Sequence, residues 1–396
     1  MPDVDKILKI VHIITRLILG GAQENTLITC AQLAGRGHDV TLITGPAIGP
    51  EGALFDRVQR QNYKVITIDK LRRAICPLYD YLAYVQIKKL LERLRPDIVH
   101  THSAKAGILG RFAAYALKDK AYRPAVVHTI HGLAFGSFQG RLLNRFYIAI
   151  EKAAAKRTDA FISVADAMTR QALAAGVGKP DMFTTAYSAI EEENFLNQLP
   201  TEQIAAFRGK YNIPGDAVVL VTIARLAHLK GHEFIIESAD RLAKRFENCC
   251  WLFVGDGNLA KKIKQDVRKA GLENRVKFTG LLPPDRIPLA IQASDILLHC
   301  SLREGLARAI PQAMLCSKPA VSFNLDGAPE VINRSTGRLV EPGNIDHLTD
   351  ACAELIADPQ LRAKLGAAGE ISVTKKFAPE TMVDTIETIY QKLLEK

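Results

Sequence analysis

Apolar and polar positions follow two rhythms along this chain. Short β-branched runs read as strands at Ile7–Thr15, Asp39–Thr44, Lys64–Ile68, Asp97–His102, Ala125–His131, Ala160–Val164 and Met182–Tyr187. Between them, longer stretches carry the helical period: Gln23–Arg36, Tyr79–Leu94, Gly107–Leu117, Arg141–Lys156 and Ala167–Ala175. Strand and helix in alternation predict right-handed βαβ units and a parallel sheet. At Ile190–Leu199 the pattern breaks into a polar, acidic stretch that ends before Pro200. It then restarts with strands at Val218–Ala224, Cys250–Val254, Arg275–Thr279, Asp295–Cys300, Pro319–Phe323 and Arg338–Val340. Helices at Glu233–Phe246, Leu259–Ala270 and Ala307–Cys316 fall among them. The expected fold class is α/β, with two successive Rossmann-like domains of open parallel sheets, which set face to face would put two sets of strand ends around one cleft. The domains span residues 1–190 and 191–378, and a last helix, 379–396, packs back on the first domain.

Composition narrows the class. The chain has 396 residues, 48% hydrophobic and 24% charged, which suits globular domains with their own cores. No apolar run approaches the roughly 20 residues of a membrane span. Met1–Thr15 carries Asp3, Asp5, Lys6 and Lys9, so it reads as a first strand and not as a signal peptide. A cytoplasmic protein is expected. Seven cysteines without a CxxC pair predict reduced thiols and no structural zinc. The net charge of +10 is unevenly shared: residues 1–190 hold 26 Lys and Arg against 15 Asp and Glu, and the remainder 26 against 27. Such asymmetry suggests an anionic partner for the first half, either a membrane surface or a phosphate-bearing substrate, with a solvated basic surface as the plain alternative. Nucleic acid is not expected, since no recognised module or aromatic–basic interleaving appears.

In open parallel sheets, ligands meet the carboxyl ends of strands near the point where strand order reverses. The chemistry should therefore sit in strand-to-helix loops. Gly20 and Gly21 occupy the first, where glycines let backbone N–H groups approach a phosphate or simply make a tight turn. The loop is not GxGxxG, which disfavours a nicotinamide-dependent dehydrogenase. His100 and His102 share one face of a strand and could suit a metal, but no carboxylate or cysteine stands nearby in sequence. Ser103 and Lys105 follow, as acceptor contacts or helix caps. His131 precedes Gly132 at another strand tip, where it could meet a sugar or phosphate, or be a satisfied core histidine. In the second half Arg225 and Lys230 flank one loop, a fork and a point charge suited to a diphosphate gaining negative charge. Glu304 and Gln312 lie eight positions apart and are expected on one side of a helix, one reaching a sugar and the other a ribose.

The ordered set GGAQEN, HTHSAKAG, HTIHG, ARLAHLKG, FVGDGNL, FTGLLP and SLREGLARAIPQAM resembles glycosyltransferase family 4 of the GT-B fold, over about residues 7–390. The resemblance implies retaining transfer from a nucleotide-sugar, UDP-linked ahead of GDP-linked, with no cofactor and no metal ion. It implies a saccharide or lipid-linked acceptor in cell-envelope or exopolysaccharide synthesis, at the inner face of the cytoplasmic membrane. Carried over residue by residue, Arg225 and Lys230 match the diphosphate pair, Glu304 the first glutamate of the paired-glutamate motif, and His131 the histidine near the donor sugar. Gly20 and Gly21 match the loop over the diphosphate. Gly255, Asp256 and Gly257, with Thr279, Gly280 and Leu281, match loops beside the nucleotide, and Gly305 and Leu306 follow the glutamate. His102, Ser103 and Lys105 are the acceptor-side candidates. The departure is Gln312, where the family's second glutamate takes the ribose hydroxyls. An amide accepts and donates there, but without charge. The rival readings are a sugar-nucleotide 2-epimerase of the same fold and a non-catalytic nucleotide-sugar-binding protein.

Overall fold

A computed structural model describes residues 7–47, 54, 62–117, 122–136 and 138–395. The leading Met1–Lys6, part of the segment read against a signal peptide, lies outside the described residues. The chain forms two compact units, Met1–Ala189 with Pro379–Lys396, and Ile190–Ala378.

The first unit holds strands β1 (Lys9–Ile14), β2 (Asp39–Thr44), β3 (Lys64–Thr67), β4 (Ile98–His102), β5 (Ala125–Ile130), β6 (Ala160–Ser163) and β7 (Phe183–Thr185). They form one parallel sheet in the order β3-β2-β1-β4-β5-β6-β7. Helix α1 (Gly21–Gly35) follows β1, α2 (Pro77–Leu94) follows β3, α3 (Ala104–Tyr115) follows β4 and α4 (Arg141–Ala155) follows β5. Because both faces of such a sheet are covered, its central strands are apolar almost throughout. β4 and β5 are buried at every position.

The second unit repeats the plan with β8 (Val218–Ile223), β9 (Cys249–Val254), β10 (Val276–Gly280), β11 (Ile296–His299), β12 (Ala320–Phe323) and β13 (Gly337–Val340). Its order, β10-β9-β8-β11-β12-β13, is parallel throughout. A core of Trp251, Phe253, Leu220, Leu298 and Phe323 fills it. Strand order reverses between β1 and β4 in one unit and between β8 and β11 in the other. Those two points are where open α/β sheets receive ligands.

The last helix, which we label α5 (Pro379–Leu394), belongs to the first unit. Met382, Val383, Ile386, Ile389 and Tyr390 join the cluster of Ile10, Ile14, Leu27 and Cys30. Arg36 near the end of α1 reaches Asp384 at 2.7 Å and Glu387 at 2.5 Å, and His38 reaches Glu387 at 2.7 Å. Among the described residues, no helix is long and apolar enough to cross a membrane.

Candidate functional site

In the second unit, the loops leaving β8, β9, β10, β11 and β12 are laced together by backbone. Leu226 N donates to Asp256 O (3.0 Å) and Leu259 N to Leu226 O (2.9 Å), joining the β8 and β9 loops. Gly255 N donates to Gly280 O (2.9 Å), adding β10. Leu302 N and the Ser301 hydroxyl both donate to Leu229 O, at 2.9 and 3.0 Å, adding β11. Gly327 N donates to Gly305 O (3.2 Å), adding the loop after β12. Two glycines permit this packing. A Cβ on Gly231 (φ +72°) would lie 1.9 Å from Cys300 O, and one on Gly255 (φ +139°) 2.1 Å from Ala224 O. Leu229 (φ 65°) and Asp326 (φ 53°) also hold left-handed backbone, which persists only where surroundings over-determine it.

On this frame stand the expected ionic groups. Lys230 and Glu304 form an ion pair whose side chains are 17% and 26% exposed, so both remain within reach of solvent. Glu304 N donates to the Asp326 carboxylate at 2.7 Å, which fixes the backbone that carries the glutamate. Burial works to raise the Glu304 pKa, but the charges of Lys230 and His299 and hydrogen bonds from Lys230 and Ser301 outweigh it. The carboxyl is held below its usual range. His299, at the end of β11, is buried with Nε2 3.7 Å from Glu304. Burial, opposed by Glu304 and aided by Lys230, pushes its pKa down to about 4. Arg225 lies exposed in the β8 loop, and Asp256 and Leu281 are exposed in theirs. Gly257, Thr279, Gly280 and Gln312 are partly exposed, whereas Gly305 and Leu306 are buried.

One expectation is corrected here. Glu304 and Gln312 do not share a helix face, because the helix covers only Ala309–Leu315 and Glu304 sits on the preceding loop. The loop is recruited by Asp326 and Leu229, and this tertiary pairing overrides the local helical pattern.

In the first unit, Gly20 and Gly21 open α1, and Glu24 N donates to Gly20 O at 3.0 Å. Ser103 precedes α3 with φ 61°, and its hydroxyl meets Thr15 Oγ1 at 2.7 Å, joining the loops that flank the β1–β4 reversal. Lys105 is tied to Asp80 (2.6 Å) and to the Ala74 carbonyl. His102 is buried and meets two other histidines: its Nε2 lies 2.9 Å from His12 Nδ1 and its Nδ1 3.1 Å from His131 Nε2. His131 itself is half-buried just beyond β5. Sequence reasoning missed His12, His299 and Asp326. A lone histidine within an apolar strand was the available signal, since a buried polar group demands a partner.

Two parallel α/β units with loops gathered at their strand reversals define the GT-B fold. Residues 203–371 match the family described as Glycosyl transferases group 1, and residues 19–187 match Glycosyltransferase Family 4. Together they span most of the chain. Among relatives, the Escherichia coli UDP-Gal:alpha-D-GlcNAc-diphosphoundecaprenol alpha-1,3-galactosyltransferase is 27% identical, over 97% of this chain and 96% of its own. The Bacillus anthracis N-acetyl-alpha-D-glucosaminyl L-malate synthase is 26% identical, over 92% and 91%. The solved structure of Anabaena HepE with UDP and glucose superposes with a TM-score of 0.81 at 21% identity, over 96% of this chain and 99% of that one. A Rickettsia africae glycosyltransferase gives 0.80 at 21% identity, over 99% and 100%. The protein belongs to glycosyltransferase family 4 and is a glycosyltransferase.

Proposed function

We propose that this enzyme moves a sugar from a UDP-sugar to a saccharide or lipid-linked acceptor, with retention at the anomeric carbon and without a metal ion. The observation that carries the reading is the Lys230–Glu304 pair, with Arg225 on the same β8 loop as Lys230, on a frame of five interlocked loops at the β8–β11 reversal. In this reading Arg225 and Lys230 hold the diphosphate, with the Gly20–Gly21 loop over it, and Glu304 and His131 hold the sugar. Gly255, Asp256, Gly257, Thr279, Gly280 and Leu281 lie beside the nucleotide, and Gln312 meets the ribose. As the bond from the anomeric carbon to phosphate oxygen breaks, that oxygen keeps the electron pair. The acceptor oxygen bonds to the carbon from the same face, and its proton passes to the departing phosphate oxygen. Positive charge at Arg225 and Lys230 favours the step because negative charge grows there as the bond opens. Nearby relatives named for UDP-galactose and for UDP complexes support this donor class.

The test is steady-state transfer by Arg225→Ala and Lys230→Ala. Each should lower kcat by on the order of 10²–10³, as loss of one electrostatic stabiliser does. Near-normal turnover in both would discard the assignment, and an inverted anomer in the product would discard retention.

We further propose a cell-envelope or exopolysaccharide role at the inner face of the cytoplasmic membrane, reached through the basic first unit. Leu142, Leu143 and Phe146 at the start of α4 are exposed, as are Ile75, Leu78 and Tyr81 at the start of α2. Both helices begin at the carboxyl edge of the sheet, and Lys70, Arg72, Arg73, Arg141 and Arg145 stand near these apolar side chains in sequence.

A further inference from the structure

Four imidazoles lie together where β1, β4 and β5 end. His12 faces His100 across the β1–β4 pair, and His102 lies two residues further on the same face of β4. The rings are stacked: His12–His102 centroids lie 5.2 Å apart at 18°, His100–His102 4.4 Å at 26°, and His102–His131 5.4 Å at 30°. The ligating nitrogens of His12, His100 and His102 come within 4.8 Å of one another. Both nitrogens of His100, both of His102 and Nδ1 of His12 are already engaged in hydrogen bonds, however, which leaves no three of them free for one ion. The arrangement is a hydrogen-bonded series instead: His12 Nδ1 to His102 Nε2 at 2.9 Å, then His102 Nδ1 to His131 Nε2 at 3.1 Å. His100 stands outside it, bonded to the Tyr390 hydroxyl (2.5 Å) and Thr129 Oγ1 (2.6 Å).

Burial pushes His12 down to about 3, and burial with neighbouring imidazoles lowers His102 well below its ordinary value. Both rings are neutral at physiological pH, and each carries one ring hydrogen. The series can then run only two ways. Running inward, His131 Nε2–H donates to His102, and His102 donates to His12. His12 is then left with an N–H at Nε2, an atom that is buried and has no hydrogen-bond partner among the described residues. Running outward, His12 Nδ1–H donates to His102 Nε2, and His102 Nδ1–H donates to His131 Nε2. That leaves only a bare lone pair at His12 Nε2. An orphaned buried donor is the rarer and costlier outcome.

We propose that His12 and His102 are positioning residues that donate in series to His131, fixing its Nε2 as an acceptor and keeping its hydrogen on Nδ1. The inference rests on the reading above in which His131 meets the donor sugar. It makes that histidine a fixed hydrogen-bond donor, able to hold a sugar oxygen without taking on charge.

The experiment is ring-nitrogen NMR of the full chain labelled with [15N]histidine, with the His131 signals assigned by their loss in His131→Gln. Wild type should show the Nδ1–H tautomer, the reverse of a free histidine's preference. His12→Phe, which keeps a stacked ring but removes the donor, should relax His131 to a mixture. His102→Leu should do the same and lower kcat/KM about tenfold, the scale of one lost hydrogen bond. His102→Asn, whose amide hydrogen can take the place of Nδ1–H, should restore the tautomer and most of the activity. A wild-type Nε2–H signal, or one unchanged in both His12→Phe and His102→Leu, overturns the proposal. His131→Ala tests the underlying reading separately: normal turnover there removes the sugar contact, whatever the tautomer.

Discussion

Gly231 shows how much of the proposed phosphate grip depends on a residue with no side chain. It follows Lys230, turns at φ +72°, and brings Cys300 O to where a methyl group would stand. Alanine here would meet both the left-handed backbone penalty and a backbone carbonyl that cannot rotate aside. Gly231→Ala should cost about 2–3 kcal/mol by the usual scale of strained-backbone substitutions, read as a lower midpoint in urea. It should also depress transfer with Lys230 chemically intact, because the loop can escape the strain only by moving that lysine. Unchanged stability and transfer would show that the β8 and β11 loops are not locked as described. Glu304 follows the same logic with charge in place of shape. Its carboxyl stays ionised because Lys230 and His299 outweigh the burial that opposes it.

Among elements, α5 is the most informative, since the whole of Ile190–Ala378 separates it from the rest of its unit. Glu387 joins it to α1 through Arg36 and to the following loop through His38. Burial tends to raise the Glu387 pKa, but His38 and Arg36 outweigh it and lower the value. A carboxyl whose folded pKa is depressed adds stability above its unfolded pKa, near 4.3, and loses it as pH falls through the folded value. Glu387→Gln should therefore cost about 1 kcal/mol at pH 7. The gap from wild type should close below about pH 4, as melting curves at both pH values would reveal. A gap that persists in acid would mean the pair is not the cause. This helix also marks how far the sequence could be read. The helix follows from periodicity, as do the strands among the described residues to within a residue or two, because burial on both sheet faces leaves unmistakable apolar runs. What periodicity cannot show is pairing at a distance. Asp326 beneath Glu304, His12 beside His102 and Tyr390 against His100 each join segments that only the fold brings together. The loop positions of Arg225, Lys230 and Glu304 follow from the strand pattern alone.

For the molecule as a whole, the uneven charge acquires a direction once the helices are placed. Basic residues of the first unit stand at both ends of α2. Lys70, Arg72 and Arg73 stand near the start of α2, whereas Arg93 and Arg95 stand at its far end, an 18-residue helix or about 27 Å away. Arg95 is stacked on Tyr122 and Lys88 is paired with Glu92, just as Lys70 and Arg72 lie over the Tyr79 ring, so cations at both ends have local partners. The first end carries exposed apolar side chains, with Leu142 83% and Phe146 53% exposed on a helix that begins at Arg141. Basic residues near an anionic bilayer contribute about 1 kcal/mol each, and leucine or phenylalanine entering its boundary about 1.5–3 kcal/mol when fully covered. The first contribution fades with salt and the second does not. The full chain should therefore co-sediment with phosphatidylglycerol vesicles at low salt, far less with neutral phosphatidylcholine, and partially at high salt. A Leu142→Glu, Phe146→Glu double variant should lose the salt-resistant part while still transferring sugar to a soluble acceptor. Equal binding to both vesicle types, or a double variant that binds as wild type does, would show that this edge does not face lipid.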